Sequence, residues 1–176
     1  MSTGIVFTVV GDDKPGLVDQ LAQIVAHNGG NWLESRMSEL SGLFAGIVHI
    51  SVDPAKLPGL RLALEALSSA ELKVVVAVGK GGAIDDTCRQ MQLSLVGNDR
   101  PGIVREVASA LAGHRINVRE MNTTITSAPM TGDALFTATA KIDVPVALNL
   151  AELEDQLNAI ADALTIDIDL GEMAHS

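Results

Sequence analysis

Two short strings carry the chemistry of this chain: Asp13-Lys14-Pro15-Gly16-Leu17 and Asp99-Arg100-Pro101-Gly102-Ile103. Each follows an apolar run of strand character and precedes a helical stripe, so each marks a strand-to-helix turn. The first amides of a helix have no intrahelical partner and sit at the positive end of its dipole. A glycine beside them, Gly16 or Gly102, lets a ligand approach the backbone. The natural guest is a carboxylate, which gains about 0.3 to 1 kcal/mol from the dipole and more from direct hydrogen bonds. Asp13 and Asp99 can accept from turn amides or bind an ammonium. Asn31 and Asn117 follow each first helix, and an amide side chain offers an amino acid both a donor and an acceptor. Asp-x-Pro-Gly is equally a plain turn and helix-cap signal. Its recurrence at matched positions, together with the two asparagines, is what points to a small-molecule site.

The recurrence is in register. Gly11 and Gly97 lie 86 positions apart, and the same offset aligns Pro15 with Pro101, Val18 with Val104 and Asn31 with Asn117. Leu43-Phe44 then matches Leu135-Phe136 at an offset of 92, which places six extra residues in the second copy, within Ser127 to Asp133. The turns also differ, because Asp12 of the first copy is Asn98 in the second. Unequal competence of the two sites is therefore expected.

The elements that must hold these turns follow from periodicity. Ile5 to Val10 reads as a strand, and Leu17, Leu21, Ile24 and Val25 form the stripe of an amphipathic helix that starts at Pro15 and ends at Asn28-Gly-Gly30. Asn31 to Leu40 is extended, Ser41-Gly42 turns, and Phe44, Val48, Ile50 and Val52 alternate as the returning strand. Leu57, Leu60, Leu64 and Leu67 mark a second helix, and Leu72 to Val78 a closing strand. The second copy repeats the order with a strand over Gln92 to Val96, a helix from Pro101 that carries Ile103, Val107 and Leu111, and a hairpin over 117–144. A helix with Leu153, Leu157, Ile160 and Leu164 follows, begun by Asn149 as in a capping box with Glu152, and Thr165 to Leu170 is the last strand. Phe136, Ala138, Ala140, Ile142 and Val144 alternate with polar residues, so one sheet face is covered and the other partly wet. The fold class is α+β: two ferredoxin-like βαββαβ units, antiparallel sheets with helices on one face, expected side by side. Gly79 to Asp86 has linker chemistry, giving a first domain over 1–85 and a second over 86–176.

Composition narrows the function. The 176 residues carry a formal charge of −10, which argues against direct binding to nucleic acid. Aromatic residues are 2%, with no Tyr, so Val, Ile, Leu, Ala and Met fill the cores and the aromatic platform of sheet-type RNA binding is missing. One cysteine, Cys88, precludes an internal disulfide and reads as an incidental linker thiol. No signal-peptide pattern and no bilayer-length apolar run is evident, so a cytoplasmic location without a membrane partner is expected. His27, His49, His114 and His175 lack metal-ligand spacing, and Asp12-Asp13 and Asp85-Asp86 read as solvated turns. No nucleophile stands in a motif with a base, and no Walker or dinucleotide loop occurs; no enzyme activity, catalytic residue, metal or cofactor is expected.

The tandem units, the Asp-Lys/Arg-Pro-Gly-Leu/Ile turn and the following Asn resemble ACT domains over roughly residues 4 to 170. The two-copy layout is similar to that of the glycine cleavage system transcriptional repressor family. The resemblance implies an amino acid, glycine being the candidate, held where two such domains pair. It implicates Asp13, Lys14, Gly16, Leu17 and Asn31, with Asp99, Arg100, Gly102, Ile103 and Asn117. It further implies a regulatory protein partner and a homo-oligomer. A detached regulatory subunit of an amino-acid enzyme and a ligand-independent assembly module are the alternatives.

Overall fold

Burial every second residue and burial every third or fourth residue build the same arrangement twice. A computed structural model describes residues 2–78, 87–128 and 132–172. The chain divides into two units, Met1–Ala83 and Ile84–Ser176. The expected linker over 79–86, with Asp85 and Asp86, lies outside the described residues, as do His175 and positions 129–131 of the longer hairpin.

The first unit runs β1 (Thr3–Asp12), α1 (Leu17–His27), β2 (Asn31–Leu40), β3 (Leu43–Val52), α2 (Leu57–Glu65) and β4 (Leu72–Val78), in a sheet of order β2-β3-β1-β4. The second runs β5 (Cys88–Asn98), α3 (Ile103–Gly113), β6 (Asn117–Ser127), β7 (Ala134–Pro145), α4 (Leu150–Leu164) and β8 (Ile166–Glu172), ordered β6-β7-β5-β8. Among the described residues all six strand pairings are antiparallel. These are the two βαββαβ units expected.

In the first core Ile5, Phe7 and Val9 of β1 and Val48, Ile50 and Val52 of β3 meet Leu21 and Val25 of α1 and Leu60 and Leu64 of α2. In the second, Leu93 and Leu95 of β5 and Ile142 and Val144 of β7 meet Val107 and Leu111 of α3 and Leu153 and Leu157 of α4. On the sheet faces turned from these helices Val10, Ile47 and Val75 are exposed in the first unit, and Val96, Thr139 and Lys141 in the second, where Thr137 is half-buried.

Pairing extends the strands beyond their apolar runs. Cys88 begins β5 opposite Pro145, and Arg89 and Gln90 pair with Val144 and Asp143, so Cys88 belongs to a strand and not to a linker. Ladder hydrogen bonds need no hydrophobic side chain, which is why periodicity placed this strand start late. Thr165, expected in the last strand, instead adopts φ 55° at the C-terminus of α4. Asn149 caps that helix by accepting from the Ala151 amide at 3.2 Å.

Candidate functional site

Both Pro-Gly turns hang from the end of a central strand, and the structure shows why each needs its glycine. The Leu17 amide bonds back to the Lys14 carbonyl at 3.4 Å, and Gly16 has φ 89° and ψ −1°. Proline second and a positive-φ glycine third make a type II turn. Gly102 takes the same conformation, φ 102° and ψ −11°. The helices begin at Leu17 and Ile103, so Pro15 and Pro101 stand two residues before them and not inside the first turn as expected. The carbonyls of Gly16 and Gly102 accept the first helical bonds, from Gln20 and Glu106. Neither tip has a side-chain cap among the described residues, and a Cβ on either glycine would meet nothing within 4 Å. The space before each tip is open.

Asp13 and Asp99 are fixed through their backbones. Their amides donate to the Gly42 and Ala134 carbonyls, at 3.0 and 2.8 Å, which ties each turn to its own hairpin tip. The start of β7 therefore lies beside the second turn. Both carboxylates are exposed, without a hydrogen bond or ion pair among the described residues.

Asn31 and Asn117 lie elsewhere. Asn31 pairs with Ser51, which pairs with Gly4, whereas the turn follows Asp12. That separation is roughly 26 Å at about 3.3 Å per residue. Asn117 likewise sits at the Asp143 end of its sheet, 3.5 Å from a carboxylate oxygen that also accepts from Arg119. Within a unit, neither asparagine is brought to its turn.

What the first turn does meet is the segment joining α2 to β4. A cleft of about 330 Å³ opens there, with Asp12, Lys14 and Glu71 on its charged side and Leu17, Leu67 and Leu72 on its apolar side. The three leucines are half-buried. The Ser69 hydroxyl accepts from the Glu71 and Leu72 amides at 3.2 and 3.1 Å, and the Glu71 carbonyl accepts from the Asp12 amide at 3.1 Å. This tight loop sets the Glu71 carboxylate against the Lys14 ammonium. In the second unit Arg100 instead donates to the Leu164 carbonyl at 3.1 Å. Sequence reasoning missed Glu71 and Ser69; their only local signal is a position just before a closing strand.

The Lys14 hydrogen bond, and then its charge, hold the Glu71 carboxyl below its ordinary pKa; the same contact raises Lys14. A depressed glutamate contributes above its unfolded pKa and is lost as pH falls through the folded value. A raised lysine contributes below its unfolded pKa and is lost as pH rises through the folded value. The pair is thus closed throughout the neutral range. In a carboxyl-detected NMR titration Glu71 should protonate at lower pH than ordinary exposed glutamates, and Lys14→Ala should return it to their range. An ordinary Glu71 titration in the unmodified chain would show that the pair does not form.

Family models of the ACT domain match residues 3–77 and, separately, residues 91–162. The chain belongs to the ACT family. ACT domains are regulatory modules of the amino-acid-binding type, and here two stand in tandem. Over 67 residues the chain is 39% identical to the UPF0237 protein of Methanococcus maripaludis, covering 37% of this chain and 74% of that one. A protein of unknown identity from Galdieria sulphuraria has the same tandem fold, with a TM-score of 0.85 and 26% identity over 99% of this chain and 100% of that one. A structure provisionally assigned as a glycine cleavage system transcriptional repressor follows the fold with a TM-score of 0.70 and 18% identity, covering 99% of each chain. Among the described residues of the tandem ACT chain, no helix is long and apolar enough to cross a membrane.

Proposed function

We propose that this tandem ACT chain is a non-enzymatic regulator that binds a small amino acid and passes the signal to a protein partner, in the manner of a glycine cleavage system transcriptional repressor. One observation carries the reading: among the described residues, two matched type II turns each present an uncapped helix tip, an open approach and an aspartate without a hydrogen bond or ion pair. In the first, Asp13, Lys14, Gly16 and Leu17 receive the ligand; in the second, Asp99, Arg100, Gly102 and Ile103 do. Asn31 and Asn117 serve only where a second domain brings them to a turn. The ligand's carboxylate is held at the helix tip, by the free amides and, in the first unit, by Lys14, and its ammonium by an acidic side chain.

The chain acts on a DNA-binding protein and not on DNA, because a formal charge of −10 repels phosphates. It works in the cytoplasm as a homo-oligomer. Glycine is a candidate ligand through the likeness to the repressor structure. Calorimetry and thermal shift against the common amino acids should give heat and a raised melting temperature with at least one of them. Stabilisation approaches about 2.7 kcal/mol at a hundredfold excess over Kd. Silence across the panel would remove the sensor reading and leave the turns as helix caps.

A further inference from the structure

We propose that the cleft of the first unit selects α-amino acids with an aliphatic side chain: Lys14 holds the carboxylate, Glu71 with Asp12 holds the ammonium, and Leu17, Leu67 and Leu72 receive the side chain. This rests on the amino-acid reading above and names the ligand class of one of its two turns.

Opposite charges already share this cleft. The Lys14–Glu71 pair is exposed, with side chains 57% and 63% accessible, so its disruption costs little. A zwitterion replaces that pair charge for charge: its carboxylate takes Lys14 as its ammonium takes Glu71. A simple carboxylate would strip Glu71 of its partner and sit beside two unneutralised acids. A simple amine would leave Lys14 unpaired. The cleft thus discriminates by repulsion as well as attraction.

The second turn is built without these acids. Leu72 pairs with Gly11 as Ile166 pairs with Gly97, so Thr165 stands where Glu71 stands, and Asn98 replaces Asp12. Arg100 is committed to the C-terminal carbonyl of α4. No ammonium acceptor equivalent to Glu71 is present there among the described residues.

Side-chain size follows from the apolar wall. Glycine would leave Leu17, Leu67 and Leu72 in water, whereas each methylene fully buried against them is worth about fourfold in affinity. In a cleft open on one side, leucine should exceed glycine by about tenfold or more.

The test is calorimetry on the full chain with L-leucine, glycine, 4-methylpentanoate, which is leucine without its amino group, and 3-methylbutylamine, which is leucine without its carboxylate. Leucine is expected to bind best, with each truncated analogue weaker by about tenfold. Glu71→Gln removes the charge of one of the two ammonium acceptors, leaving Asp12, and frees Lys14. It should therefore weaken leucine by about tenfold and strengthen 4-methylpentanoate, a divergence that general loosening of the fold would not produce. Leucine binding indifferent to Glu71→Gln, or glycine binding as tightly as leucine, overturns the cleft assignment and leaves amino-acid sensing intact. No heat with any amino acid overturns both.

Discussion

Alanine at Gly11 or Gly97 is expected to cost about 3 kcal/mol of folding stability, the upper part of the range for forced overpacking. A Cβ on Gly11 would stand 2.4 Å from the Glu71 carbonyl oxygen and 3.0 Å from Leu72 Cα. On Gly97 it would stand 2.4 Å from Ile166 Cγ2 and 2.9 Å from its Cα. Backbone lies on the far side in both cases, so rotation of a side chain cannot relieve the clash. The incoming edge strand would have to move, and Gly11 and Gly97 are where β4 and β8 begin to pair. In the first unit that shift also displaces the loop carrying Glu71. Urea denaturation followed by far-ultraviolet circular dichroism measures the effect; a loss under about 0.5 kcal/mol would show that the close approach is relaxed in solution.

Phe7→Ala should cost still more, about 4 kcal/mol, because it combines lost transfer energy, a cavity and a broken aromatic pair. Phe7 is fully buried at the centre of β1, and its ring meets Trp32 edge-on, with centroids 6.2 Å apart and planes at 89°. Domains of this size have about 5 to 15 kcal/mol of stability in total, so much of the margin disappears. Trp32 is the sole tryptophan of the chain, and its fluorescence reports the first unit directly. Phe7→Leu keeps most of the volume and should cost about 1 kcal/mol. Equal losses for the two substitutions would mean that the ring's shape and its contact with Trp32 carry the whole effect and that buried volume contributes nothing.

The turns show how far local reasoning reaches. Pro15-Gly16 and Pro101-Gly102 were identifiable as strand-to-helix turns because proline and glycine act on their own dihedral angles. Their placement was wrong by two residues, because a type II turn and a first helical turn both accept a proline, and the positive φ of Gly16 and Gly102 is what distinguishes them. Gly11 and Gly97 stood out in the repeat, but nothing nearby announced that they make room for another strand.

The chain by itself determined the two βαββαβ units, the alternation that buries Phe136 to Val144, and the duplicated turn, since each arises from residues within a few positions of one another. The tertiary structure alone decided that Glu71, 57 positions from Lys14, completes the first cleft, and that Asn31 lies at the opposite end of the sheet from Asp13. The reason is the strand order β2-β3-β1-β4. It sets β4 beside β1, delivering the loop before β4 to the turn after β1. Helix α1 carries the chain back along the sheet, so β2 starts level with the first residues of β1 and runs parallel to it, which leaves Asn31 at the end away from the turn. Dihedral preference and hydrophobic period are written residue by residue, whereas adjacency across a sheet comes from hydrogen bonds between distant strands.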